Sequence, residues 1–225
     1  MTRVFASWSG GKDCCLALYR AIKSGMDVMY LANTVRDNGK RSCSHGISSA
    51  VIKAQAEALG IPIVQQLTHD DDYEEQFIKM VLKFREEGIE GGVFGDIDFN
   101  AHREWIENVC RKAGITPYLP LWCEDQTRLM EEFIDAGFES VIVAAKAELF
   151  GMDVPGKKID RNFLMDIKKL SETKEITPCG EAGEYHTLVI DGPIFKKRLE
   201  IKKTEKVQRD GILYLEIIET GFKEK

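Results

Sequence analysis

The chain has 225 residues, 44% hydrophobic and 30% charged, with a formal net charge of −6, the make-up of a folded globular protein rather than a disordered one. Its longest apolar runs, such as Val141 to Ala145, are far too short to cross a bilayer, and no cluster of Lys and Arg stands ready to grip nucleic-acid phosphates. The six cysteines (Cys14, Cys15, Cys43, Cys110, Cys123, Cys179) form no CxxC pair, which argues against a zinc knuckle or a redox dithiol and reads as scattered reduced thiols.

Met1 to Phe5 leads into a first strand, Val4 to Ser7, with no apolar leader, so a cytoplasmic protein is expected. Lys12 to Ser24 follows as an amphipathic helix, then Asp27 to Val35 as a strand rich in β-formers. Gly46 to Leu59 reads as a helix stopped by Gly60 with Pro62 beyond it. Ile63 to Leu67 is a third strand, and Asp72 to Glu87 a helix with acidic residues in its first turn and Gly88 at its end. Gly92 to Gly95, Ala101 to Ala113 and Pro117 to Leu121 continue as strand, helix and strand. These strand–helix repeats imply an α/β fold, a doubly wound parallel sheet of Rossmann type. Such sheets bind ligands at the carboxyl ends of their strands, where the segments Ser7–Asp13, Asn33–His45 and Gly95–Arg103 all lie.

The character changes after about residue 122. Glu124 to Ala136 and Arg161 to Ser171 read as helices and Ser140 to Ala145 as a buried strand. Beyond a Gly- and Glu-rich loop from Cys179 to Tyr185, strands are expected at Leu188 to Ile190, Lys197 to Lys203 and Ile212 to Ile218, with Asp210-Gly211 as a hairpin turn. Two domains are therefore expected: 1–122, a nucleotide-binding α/β unit, and 123–225, a smaller α+β unit.

The segment Ser9-Gly10-Gly11-Lys12-Asp13 joins the first strand to the first helix. Backbone N–H groups of the glycines and the helix dipole can face an anion there, Lys12 can neutralise a phosphate, and Asp13 can cap the helix or hold magnesium. The spacing is neither GxxxxGK[ST] nor GxGxxG. An ordinary turn capped by Ser9 or Asp13 is the other reading of two glycines alone.

The longer string from Phe5 to Asp13 resembles the SGGxDS loop of the ATP pyrophosphatases, which cleave ATP to AMP and pyrophosphate, with Cys14 in place of the final Ser. Three further stretches resemble the diphthine–ammonia ligase family: Glu90 to Ile97, Arg103 to Cys110 with Pro120-Leu121-Trp122, and Cys179 to Thr187 followed by Asp191 to Phe195. The family's last loop is closer to GEGGEYET, so Ala182 and His186 depart from it. The resemblance implies that eukaryotic members carry extra C-terminal domains, and that this chain is a compact form.

The resemblance implies ATP-dependent amidation of diphthine, a modified histidine of translation elongation factor 2, by ammonium, giving diphthamide, AMP and pyrophosphate through an acyl-adenylate. ATP would lie against Ser7, Ser9, Gly10, Gly11, Lys12, Asp13, Cys14, His45, Gly95 and Asp96, with Asp13 and Asp96 as candidate ligands for Mg. Lys12, Asp13, Glu181 and Glu184 are the candidate catalytic residues. Glu181 and Glu184 can bind the trimethylammonium group or take a proton from ammonium, or else form a solvated acidic turn. Arg103, Gly180, Gly183 and Tyr185 are candidates for substrate binding, although Tyr185 can instead pack in a core and Arg103 can be a solvated helix residue. His69, His102 and His186 have no partner that the sequence names.

With Met1-Thr2 at its start and nearly all its length assigned, the chain is expected to use free ammonium rather than a glutaminase domain. The sequence leaves a homo-oligomer open. Two rivals share the ATP chemistry or the sheet. One is a tRNA thiolase or lysidine-type ligase, for which Cys110 or Cys179 could carry sulfur; acidic charge and the want of a basic RNA-binding segment count against it. The other is a nucleotide sensor that binds ATP without cleaving it.

Overall fold

A computed structural model describes residues 1–36, 38–69 and 71–225; Asp37, within the second expected loop, lies outside them. In β1 (Arg3–Ser7) the two-residue period of a strand sends Val4 and Ala6 to one face and Phe5 to the other, and all three are buried. A strand buried on both faces needs helices on both faces. On the Val4 and Ala6 face lie α1 (Lys12–Lys23) and α2 (Ser49–Leu59), which contribute Leu16, Leu18 and Ile52 to one core. On the Phe5 face lie α3 (Tyr73–Glu86) and α4 (Asn100–Ala113), which contribute Phe77, Met80, Ile106 and Val109 to another.

The first sheet also holds β2 (Asp27–Arg36), β3 (Arg41–Ser42), β4 (Ile63–Leu67), β5 (Gly91–Val93) and β6 (Thr116–Tyr118). The parallel strands run in the order β4-β2-β1-β5-β6, with β3 added antiparallel at the end of β2. The strand order reverses between β1 and β5, and a crevice opens at their carboxyl ends. The doubly wound parallel sheet expected from the repeats is present. Details differ: β5 and β6 end at Val93 and Tyr118 rather than Gly95 and Leu121, α2 starts at Ser49 rather than Gly46, because the Ser48 hydroxyl accepts from the Ala50 amide as its cap, and the two-residue β3 was not foreseen.

The second sheet is antiparallel, in the order β8-β7-β10-β9. Its strands are β7 (Glu139–Lys146), β8 (Tyr185–Asp191), β9 (Lys197–Arg209) and β10 (Ile212–Glu224), accompanied by α5 (Gln126–Asp135) and α6 (Arg161–Ser171). Leu188 and Val189 of β8 and Leu199 of β9 join the same core as α1 and α2. The apolar packing therefore runs unbroken from the first sheet's helices into the second sheet. Among the described residues no helix is long and apolar enough to cross a membrane.

Candidate active site

The first loop turns sharply after Ser7. Gly10 takes φ +84°, and a Cβ there would sit 2.7 Å from Ile52 Cδ1 and 2.8 Å from Gln55 Oε1, so only glycine fits. The fully buried Gln55 holds this turn: its amide group donates to the carbonyls of Gly10 (2.9 Å) and Val189 (2.7 Å), and its carbonyl accepts from Trp8 Nε1 (2.9 Å). Val189 N in turn donates to Gly10 O at 3.0 Å. The loop is thus anchored to β8 of the second sheet. No side chain caps α1, contrary to the plain-turn alternative; its Lys12 amide instead donates to Thr187 Oγ1 at 3.0 Å.

Lys12 is 3% exposed, and its ammonium donates to Asp13 Oδ2 (2.8 Å) and to the Cys179 carbonyl, 5.3 Å from the Tyr185 ring centre. Burial acts to lower its pKa, but Asp13, Tyr185 and Cys179 outweigh this and hold the lysine charged. Cys14 fills the position of the family's Ser. Its thiol accepts from Ser9 Oγ (3.4 Å) and donates to Gly11 O (3.2 Å), so sulfur takes up the local bonding of the loop. Burial opposes ionisation of Cys14, while hydrogen bonds from Cys15 and Ser9 prevail and lower its pKa.

These residues open onto a cleft of about 610 Å³. Ser7, Ser9, Lys12, Asp13 and Cys14 line it from the first loop, His45 from the second, and Gly95 and Asp96 from the third. Cys179, Gly180, Glu181 and Tyr185 close it from the second sheet's side. At one end the lining is aromatic, with Trp105 5.6 Å from Tyr73 and 5.1 Å from Phe77, ring centre to ring centre, and Phe94 beside them. The other end carries the ionisable groups.

Burial, with the carboxylates of Asp13, Asp96 and Asp98 nearby, pushes Glu181 up to about 7 against the pull of Lys12. His102, for which the sequence named no partner, has Nδ1 3.1 Å from Asp96 Oδ1, and this contact raises its pKa. His186, likewise unassigned, stacks on His45 with ring centres 4.5 Å apart. Burial and then the charge of Lys12 lower His186 to about 4, and burial, His186 and Lys12 hold His45 well below its ordinary value. His45 and His186 are therefore held toward the neutral form beside the charged Lys12.

Several expected site residues lie elsewhere. Gly10 and Gly11 shape the loop from beneath without lining the cleft; a Cβ on Gly11 would meet His45 Cε1 at 2.5 Å. Arg103 is exposed, pairs with Glu107 at 2.6 Å and lies 5.2 Å over the Trp122 ring, because the α4 surface offers it a partner one turn on. Gly183 faces open space at φ +75°. Glu184 does not join Glu181: it is 2% exposed, its Oε1 accepts from Thr177 N at 2.5 Å, and it lines a different depression behind the loop. A turn separates the two glutamates: Gly183 N donates to Gly180 O at 3.0 Å, and both glycines take positive φ. Tyr185 both lines the cleft and packs in the core, its hydroxyl donating to Pro178 O at 2.5 Å. Among the described residues no group of three or more His, Cys, Asp or Glu could hold a metal alone.

Sequence reasoning missed Gln55 and Thr187, the two side chains that fix the loop to the second sheet. Thr187 lay inside a quoted motif, whereas Gln55 sits mid-helix with no local signal.

Residues 2–117 match the model of the diphthamide synthase N-terminal domain, and residues 125–220 that of the diphthamide synthase C-terminal domain. The chain is similar to the diphthine–ammonia ligase of Schizosaccharomyces pombe, 30% identical over 96% of this chain and 39% of that protein. It is similar to that of Danio rerio at 28% identity, over 91% of this chain and 88% of that protein. Thus the chain spans about two-fifths of the fission-yeast relative but most of the zebrafish one, so extra length is not general to eukaryotic members. Among solved structures it is similar to a predicted subunit of tRNA methyltransferase from Methanocaldococcus jannaschii, at 16% identity and TM-score 0.46 over 85% of this chain and 98% of that one. With both family models matched in sequence order across nearly its whole length, the chain belongs to the diphthamide synthase family.

Proposed function

We propose that this chain is an ATP-dependent diphthine–ammonia ligase, which amidates the diphthine of translation elongation factor 2 with ammonium and releases AMP and pyrophosphate. The observation that carries the reading is one cleft holding a buried, charged Lys12 at an uncapped helix start together with a half-buried Glu181 whose carboxyl is pushed up to about 7. On this reading residues 1–122 bind the nucleotide and residues 123–225 bring the acceptor.

A carboxylate is a poor acylating agent. Its oxygen attacks the α-phosphorus of ATP, the bond to the β-phosphate's bridging oxygen breaks, and pyrophosphate leaves; ammonia then attacks the acyl carbon and AMP leaves. The Lys12 ammonium and the α1 amides after Lys12, whose own amide is held by Thr187, neutralise the charge that gathers on the departing pyrophosphate. The aromatic end, with Tyr73, Phe77 and Trp105, suits the adenine ring, which fixes the direction of the phosphates. Glu181, poised near neutrality, accepts a proton from ammonium and so frees the nucleophile. His102 orients Asp96 from the rim.

Mg fits the cleft as a partner of ATP rather than as a resident ion. Asp13 and Asp96 would supply two oxygen ligands, and the excess carboxylate charge that raises Glu181 is the charge a divalent cation would relieve. When bound it would neutralise phosphate charge. Asp13→Ala tests the loop's part: AMP formation with ATP and diphthine-bearing elongation factor 2 is expected to fall about 10²–10³-fold. An unchanged rate would remove the loop from the chemistry.

A further inference from the structure

The segment 177–184 is a wall between two spaces. Cys179, Gly180 and Glu181 face the cleft, while Thr177, Ala182 and Glu184 face a separate depression of about 750 Å³, closed on its far side by Lys146, Leu149 and Lys174. Glu184 is 98% buried by its 2% exposure, and only one of its oxygens is used: Oε1 accepts from Thr177 N, whereas Oε2 has no hydrogen-bond partner. A buried carboxylate oxygen without a donor is destabilising, a deficit that a bound donor removes.

The lysines nearby do not supply that donor. Lys146 Nζ donates to Ala182 O at 3.0 Å, and Lys174 Nζ to the carbonyls of Leu149 (3.2 Å) and Glu148 (3.4 Å). They show that ammonium groups sit well against the carbonyls of this depression. Formal charges of its lining are three carboxylates (Glu148, Glu175, Glu184) against two lysines, which leaves one negative charge uncompensated. The shortage is one small cation with N–H donors or an equivalent monovalent ion.

We infer that the depression behind the 177–184 segment is a monovalent-cation site with Glu184 Oε2 as its buried ligand, and that ammonium, the nitrogen donor of the proposed reaction, is the cation it takes. The assignment of ammonium rests on the proposed ligase activity; the site itself rests on the unpaired oxygen and the charge count. It places the nitrogen donor's binding site apart from the mouth through which ATP and the protein substrate enter, one loop thickness from Glu181.

Binding of ¹⁵N-labelled ammonium to the full chain, followed by proton–nitrogen NMR without ATP or elongation factor, tests the site independently of the reaction. A bound signal that Glu184→Gln abolishes is the expected result; no bound signal with the wild-type chain, or an undiminished one in the variant, overturns the proposal. Potassium displacing ammonium at equal concentration would make the site a general cation site and overturn the ammonium assignment. In turnover, Glu184→Gln is expected to raise the KM for ammonium about tenfold or more with the KM for ATP within about twofold, and a KM for ammonium that stays put would contradict the proposal. Lys146→Met, which removes a competing charge, provides a second variant: a lower KM for ammonium is expected, and an unchanged or higher one counts against the site. Should the wild-type chain bind ammonium but form no amide, the ligase reading fails while the cation site stands.

Discussion

Glu181 is the residue whose environment says most about its use. Its carboxyl rises to about 7 because burial and three neighbouring carboxylates disfavour its charge, and Lys12 only partly compensates. In its proposed role as the base for ammonium it works when ionised, so amide formation is expected to climb as pH passes through about 7. Glu181→Gln should remove that limb and lower kcat about 10²–10⁴-fold, measured as pH–rate profiles of both proteins; a retained limb in the variant would assign it to another group. Stability gives a second readout. The folded value lies above the ordinary 4.5, so the stability contributed by protonated Glu181 is full below about 4.5 and is lost as pH rises through about 7. Relative to wild type, the Gln variant therefore gains stability at pH 8. Glu181 itself was legible in the sequence from its motif, but its separation from Glu184 was not: three residues of spacing say nothing about which side of a loop each side chain takes.

At the scale of elements, the first loop is set by close packing of the segment after β5 on the start of α1. A Cβ on Gly95 would lie 2.7 Å from Cys14 N and 2.8 Å from Asp13 C, both backbone atoms that cannot swing aside. Gly95→Ala is expected to cost about 1–3 kcal/mol in urea unfolding and to weaken ATP binding, because it pushes Asp13 and Cys14 from their places; intact ATP affinity in the folded variant would show that the contact does not set the loop. The alternating strands and helices of the first sheet were readable because its strands are buried and its helices end in glycine or acquire charged faces. The hairpin was read too short. β9 and β10 extend to Arg209 and Glu224, whereas expectation stopped them at Lys203 and Ile218. Beyond those points residues such as Glu205, Lys206, Lys223 and Glu224 are exposed, so no alternation of apolar and polar side chains marks the strand. Pairing along the hairpin itself carries the extension, with Leu215 opposite Lys206 and Phe222 opposite Leu199.

At the scale of the whole molecule, the two sheets are coupled through the phosphate loop. Gln55 and Thr187 tie Trp8, Gly10 and Lys12 to β8, and Arg41 pairs with Glu216 of β10 at 3.1 Å, so the two sides of the cleft are held as one frame. These links are long-range and polar, and only the folded chain reveals them. The stacked pair of His45 and His186 closes the same seam, at a position where the family pattern has a different residue. The reaction that this frame supports is tested most directly by mass spectrometry of diphthine-bearing elongation factor 2 incubated with this protein, ATP and ammonium. Conversion of the carboxyl to the amide, with AMP formed in equal amount and both lost when ATP is withheld, is the predicted result. An unmodified elongation factor in the presence of folded, ATP-binding protein would contradict the proposed activity.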